Sequence, residues 1–261
     1  MNTDIDESSL GNHPVVSQER WLAERRKLLA REKELTHLRD QVAAERRALP
    51  WMRIDKLYIF DTPQGRRTLV ELFEGRRQLM VQHFMFGPGW EEGCPSCSFM
   101  ADHTDGMNVH LEARDVTFVA ISRAPLAQIE RFRRRMGWKF KWASSSGSDF
   151  NHDFHVSFTP PPAEQRGKEQ VHYNYSLQPF ECEELPGISV FYQDDAGTVF
   201  HTYSTYRRGV EAMMGTYNLL DLTPKGRDER NGPMAWVRHH DRYQPASPVG
   251  AGPAAGSSCH E

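Results

Sequence analysis

Two cysteines separated by two residues, Cys94 and Cys97 in GWEEGCPSCSFMADH, are the side chains of this 261-residue chain best suited to chemistry. At that spacing the second sulfur lies one helical turn after the first. The pair can close a disulfide or supply two corners of a tetrahedral metal site. Pro95 is a good first-turn residue, so a helix is predicted to start there. A cysteine just outside a helix N-terminus feels the positive end of the dipole and unpaired amide donors, which lower a thiol pKa from ~8.5 to between ~3.5 and ~7.5. Glu91 and Glu92 precede the pair and would oppose ionisation if they faced it. The other two cysteines, Cys182 and Cys259, stand alone, so the four are not a disulfide framework; in a reducing compartment a close pair points to redox use or metal binding. Zinc would need His103 or the distant Cys182 to complete the set, because no second Cys-x-x-Cys or His-x-His is present.

Composition limits what else the chain does. It is 38% hydrophobic and 26% charged, with a formal net charge of -3, which suits a globular protein and gives no general attraction to nucleic acid or anionic lipid. The stretch RFRRRMGWKFKW interleaves basic and aromatic residues, but Arg131, Arg133, Arg134 and Arg135 read as the wet side of a helix. No run approaches the ~20 apolar residues of a membrane span, and the first residues lack the pattern of a signal peptide. The expectation is a cytoplasmic protein with no nucleic-acid or membrane partner.

The elements that must position the cysteines follow from periodicity. From Ser17 to Leu49, Trp21, Leu28, Leu35 and Val42 recur at heptad spacing, with Leu22, Leu29 and Leu38 widening the stripe, until Pro50 stops the helix. Such a helix serves either as a homodimer seam or as a cover for its own domain. Leu57 to Phe60 and Thr68 to Phe73 read as strands around the turn Pro63-Gln64-Gly65. Gln78 to Phe86 is a longer apolar strand that runs to the cysteines. Phe99, Met100, His103, Met107 and Leu111 continue a helix from Pro95. Asp115 to Ile121 is a buried strand, Pro125 opens a helix through Leu126, Ile129, Phe132 and Met136, and Trp138, Phe140 and Trp142 alternate along another strand. This order implies an α/β unit with parallel strands and right-handed crossovers. Residues 143 to 186 interrupt the rhythm; FHVSF and VHYNYSL alternate like a hairpin, on which His155 and His172 could meet, with His152 as a weak third metal ligand. After Pro186, GISVFYQDDAGTVFHTY reads as two strands, and Val210, Met213, Met214, Tyr217 and Leu220 as a last helix. Residues 244 to 261, with Cys259 and His260, have the composition of a disordered tail. The division is therefore a helical extension (1–50), one α/β domain (51–243) with an insertion at about 143–186, and the tail.

A strand running into Cys-x-x-Cys at a helix start, then strand and helix, then a proline with two antiparallel strands and a final helix resembles the thioredoxin-like superfamily. More narrowly, the long N-terminal helix, FMFGPGWEEGCPSCS, VFHTYSTYRRG and LLDLTPKGRDE resemble a bacterial thioredoxin-like family of unknown function, over residues from about Ser17 to Tyr243. The resemblance implies a central mixed sheet with flanking helices, no cofactor, and a disulfide-containing protein or small thiol as substrate. It makes Cys94 the exposed attacking thiol, Cys97 the buried resolving thiol and Pro186 a cis-proline facing them. The sequence departs from thioredoxin in the Pro-Ser pair between the cysteines, in having no Trp immediately before Cys94, and in offering Gln82 and His83 where thioredoxin has a buried acid. The peroxiredoxin branch is the nearest alternative, yet it carries a Thr or Ser three residues before its reactive cysteine and a Pro seven before, where this chain has Glu91 and Gly87. A scaffold that binds partners or zinc without catalysis is the remaining alternative.

Overall fold

The computed structural model describes residues 13–160, 162 and 169–243, so the tail from 244 onward, with Cys259 and His260, lies outside the described residues. The chain divides into two compact units, residues 1–49 and 50–261.

The first unit is one helix, α1 (Gln18–Arg47), in which no residue is buried. Ser17 caps it by accepting the Arg20 N–H at 3.4 Å, and Arg46 and Arg47 occupy its last turn, where cations suit the dipole.

In the second unit the strands are β1 (Met52–Arg53), β2 (Ile59–Thr62), β3 (Gly65–Thr68), β4 (Gln78–His83), β5 (Val116–Ser122), β6 (Lys141–Ser144), β7 (Gln170–Tyr173), β8 (Ser176–Pro179), β9 (Gly187–Gln193) and β10 (Val199–Tyr206). The helices are α2 (Pro95–Asp102), α3 (Asn108–Glu112), α4 (Leu126–Arg135), α5 (Phe150–Asp153) and α6 (Gly215–Leu220). Eight strands form one sheet in the order β1-β10-β9-β4-β5-β6-β2-β3, and β7 and β8 form a separate hairpin. β4, β5 and β6 are parallel, joined by crossovers through α2, α3 and α4; β9 returns antiparallel to β4, and β10 antiparallel to β9. This is a thioredoxin-like mixed sheet, extended by the β2–β3 hairpin at one edge and by β1 at the other. Its central strands are covered on both faces, which is why β4 and β5 read as nearly continuous apolar runs. One core gathers Phe84, Met100, Ile129, Phe132, Trp138 and Trp142; the other gathers Leu79, Val81, Phe150, Phe154 and Phe191.

Four expectations are corrected. Thr68 to Phe73 does not continue as a strand, because the Glu71 carboxylate accepts both the Thr68 N–H (2.7 Å) and its hydroxyl (2.9 Å) and turns the chain into a short 3-10 helix, Glu71–Phe73. The strand expected from Trp138 begins only at Lys141, since the Lys139 and Phe140 amides are taken by the Asp105 carboxylate. FHVSF does not pair with VHYNYSL. The hairpin closes within VHYNYSL, about Asn174 and Tyr175, both at positive φ (51° and 63°) as a tight two-residue turn requires, and FHVSF contributes only the bridge of Ser157 to Glu184. Finally, no peptide bond among the described residues is cis, so the bond before Pro186 is trans; the Pro186 carbonyl is held by the Tyr173 hydroxyl, which donates to it at 2.7 Å.

Candidate functional site

The end of β4 builds the site. Beyond His83 the chain continues through Phe84 to Met85, whose two backbone groups both engage the dithiol. The Met85 carbonyl accepts the Cys94 N–H at 3.0 Å, and its N–H donates to Cys97 Sγ at 3.4 Å. Cys94 is the residue before α2, with φ −56° and ψ 131°, and Pro95 opens the helix. The Cys94 carbonyl accepts the Ser98 N–H and hydroxyl, each at 2.9 Å, so its backbone is fixed on both sides. Gly93 has no room for a side chain: a Cβ there would lie 2.6 Å from Phe84 and 2.8 Å from Phe132. Cys94 is half-buried and Cys97 buried, and both are unlinked thiols.

The two sulfurs are electrostatically unlike. The Cys97 thiol donates to Cys94 and, despite burial, the Cys97 and Ser96 amides and the Ser96 hydroxyl add to it and lower Cys94 to about 7. The same hydrogen bond, burial and the Cys94 charge push the Cys97 thiol well above its ordinary value.

The carboxylates before the pair are turned elsewhere. Glu91 is exposed. Glu92 is gripped by Arg242 at 2.7 and 2.6 Å and by Arg135 at 2.7 Å. Burial alone would raise the Glu92 carboxyl, but Arg135, His239 and Arg242 outweigh it and hold the carboxyl below its ordinary range. His239 is buried and hydrogen-bonds the Gly93 carbonyl through Nε2 at 2.8 Å. Segment 239–242 thus clamps the loop immediately before Cys94.

A buried acid does stand near the pair, though not on β4. Glu184, 2% exposed, accepts the Ser157 hydroxyl at 2.5 Å and Arg123 Nη1 at 3.0 Å, and contributes to the field that raises Cys97. Burial dominates and pushes its carboxyl up to about 7. Its side chain fills the space beside Gly87, together with the Trp90 indole. Gln82 on β4 is fully buried; its Nε2 donates to the Cys97 carbonyl at 3.3 Å and its Oε1 finds no partner. His83 points to the opposite face of the sheet, between Phe150 and Phe154, where burial lowers its pKa to about 3, so it takes no part in the dithiol.

Pro186 lies at the dithiol end of the sheet: Gly187 is opposite His83, which leaves Pro186 level with the chain running from β4 to Met85. Tyr173, from the hairpin, bonds the Pro186 carbonyl and is close enough for its pKa to respond to the Cys97 charge. Sequence reasoning brought out Cys94, Cys97 and Pro186 but missed Glu184 and Tyr173. For Glu184 the signal was its place two residues before Pro186 in an otherwise solvated acidic run, ECEELPG.

The His155 and His172 rings do meet, with centroids 4.8 Å apart, although the two residues are not paired across strands. Among the described residues no three His, Cys, Asp or Glu side chains converge as a metal set, and no helix is long and apolar enough to cross a membrane. A cleft of about 540 Å³ lies between the β2–β3 hairpin and α4, lined by residues such as Arg67, Glu71, Glu130 and Lys141, and no cysteine lines it.

Comparison with the curated proteins finds none that matches. Among solved structures the chain is similar to the peroxidoxin BcpB from Mycobacterium tuberculosis, at 13% identity and a TM-score of 0.40, over 62% of this chain and 93% of that one. It is also similar to a peroxiredoxin Q from Xanthomonas campestris, at 11% identity and a TM-score of 0.41, over 62% and 90%. Residues 10–243, nearly the whole of the sequence described above, match the family described as bacterial protein of unknown function (DUF899), and the chain belongs to that family.

Proposed function

We propose that the protein is a thiol–disulfide oxidoreductase working through Cys94 and Cys97. The observation that carries this reading is the pair itself: a half-buried thiol at the start of α2 with a buried partner one turn inside the helix, both fastened to the backbone of Met85. Cys94, as thiolate, attacks one sulfur of a substrate disulfide; an S–S bond forms to Cys94 and the other substrate sulfur leaves as a thiolate. Cys97 then loses its proton and attacks the Cys94 sulfur, the second substrate sulfur departs, and the pair is left as a disulfide. Two electrons pass to the substrate, and the reverse sequence oxidises a dithiol. The lowered Cys94 pKa supports its role as the attacking group, and the raised Cys97 pKa supports protonated waiting until the mixed disulfide has formed. Pro186 and the hairpin residue Tyr173 border the approach to the pair, and a disulfide-bearing protein or small thiol is the substrate. We assign the chemistry to the domain 51–243 and place it in the cytoplasm, where unlinked cysteines such as these stay reduced.

The test is a redox titration of the purified protein with metal analysis, paired with an insulin-disulfide reduction assay. One two-electron transition, loss of activity in Cys94→Ser and a trapped mixed disulfide in Cys97→Ser are expected. A Cys94→Ser protein as active as the original overturns the reading; a metal held stoichiometrically by the pair would replace it with the zinc alternative, and Cys94-dependent peroxide consumption with the peroxidase one.

A further inference from the structure

The helix α1 presents Trp21, Leu22, Leu28, Leu29, Leu35, Leu38 and Val42 to solvent, each at least 37% exposed. Seven large apolar side chains on 30 residues without one buried position are more than a lone surface helix carries, because an isolated helix gains most of its stability from packing an apolar face. In the middle of this stripe sits an ion pair, Arg25 Nη2 to Glu32 Oε2 at 2.7 Å, seven residues apart on the same face. The other amino group of Arg25, Nη1, has no acceptor.

We infer that α1 pairs with α1 of a second copy of this chain in antiparallel orientation, about a two-fold axis between Leu28 and Leu29. That axis makes residue i of one helix level with residue 57 − i of the other, so Leu28 of each copy comes level with Leu29 of its partner. Arg25 of each helix comes level with Glu32 of the other, twice over by symmetry, which supplies the acceptor that Arg25 Nη1 lacks. Leu22 falls level with Leu35 of the second copy. The interface is isologous and self-complementary. Parallel pairing in register would instead set Arg25 against Arg25 and Glu32 against Glu32, so charge alone selects the antiparallel arrangement. The polar pair within an apolar seam also fixes the register, since sliding by one turn separates Arg25 from Glu32 of the other copy and sets Glu32 against Leu29 or Trp21.

The experiment is sedimentation equilibrium of the full chain, reduced, with circular dichroism to confirm that each variant keeps its helix content. The unaltered protein is expected to be a dimer. Arg25→Glu makes the central face all acidic and Glu32→Arg makes it all basic; each is expected to weaken self-association about tenfold or more, while an equimolar mixture of the two recovers the dimer. Orientation is read from the double exchange R25E/E32R. It is expected to dimerise with itself and not to mix with the unaltered chain, whereas a parallel pair would mix and not self-associate. A monomeric unaltered chain, single variants that dimerise as before, or mixing of the double exchange with the unaltered chain overturns the inference. The dithiol assay does not enter, so this result stands or falls apart from the redox reading.

Discussion

At the scale of single residues, Cys94 should titrate near neutrality. Its rate of alkylation by iodoacetamide in the reduced, unaltered protein, read at Cys94 by mass spectrometry across a pH series, is expected to rise through pH about 7 and level off above it. A midpoint at the ordinary thiol value would show that α2 and Cys97 do not act on it. The folded pKa lies below the unfolded one, so the Cys94 contribution to stability is present above the ordinary thiol pKa and is lost as pH falls through about 7. Glu184 carries the opposite sign. Its folded pKa is raised to about 7 by burial, so its contribution is present below the ordinary carboxyl pKa and is lost as pH climbs through about 7. Glu184→Gln keeps the hydrogen bond from Ser157 and removes the charge; its thermal midpoint should therefore vary less than that of the unaltered protein between pH about 4.5 and 8. The two cysteines were legible because their spacing has a chemical meaning by itself. Glu184 was not, because burial of a carboxyl depends on Arg123 and Ser157, brought to it from strands and loops remote in sequence.

At the scale of elements, the loop before Cys94 is held from outside by segment 239–242. Glu92→Gln removes the negative charge that gathers Arg135 and Arg242, at side chains about one-third to one-half exposed. A loss of about 1 kcal/mol in urea unfolding is expected, solvent having already weakened these pairs. Amide exchange at Gly93 and Cys94 should quicken with it, while β5 exchanges as before; unchanged exchange at Gly93 would mean that the clamp is ornamental. The elements that can be read from sequence are those with strong punctuation. Pro95 and Pro125 stand at helix starts, and the apolar runs of β4 and β5 stand out because both of their faces are covered. The hairpin was misplaced because Asn174-Tyr175 is a poor signal for a tight turn: Tyr seldom accepts positive φ, and here its hydroxyl bonds the Ser204 carbonyl at 2.8 Å. The hydroxyl of Tyr173 on the Pro186 carbonyl is likewise a contact between positions that no local pattern brings together.

At the scale of the whole molecule, the division at residue 49 makes a simple prediction. A chain beginning at Pro50 should fold, retain the alkylation profile of Cys94, and lose self-association; loss of the thiol profile would show that α1 is needed to shape the unit that holds Cys94 and Cys97. The long N-terminal helix and the parallel central strands were expected from periodicity, which repeats over many residues, whereas the mixed character of the sheet was expected from the family resemblance. How the unit at 50–261 fastens its own C-terminal segment was not, because the Glu92 to Arg242 pairing joins positions 150 residues apart. That pairing has a practical side. Arg242 is held two residues from Cys94 in the chain sense of its partner Glu92, and Tyr243 follows at once. A peptide joined directly to Tyr243 in place of residues 244–261 is therefore expected to be tethered close to Cys94, at an effective concentration of about millimolar whatever its amount in solution. For anyone producing the protein, a cysteine deliberately placed in such a peptide becomes a built-in reporter of how readily Cys94 reacts.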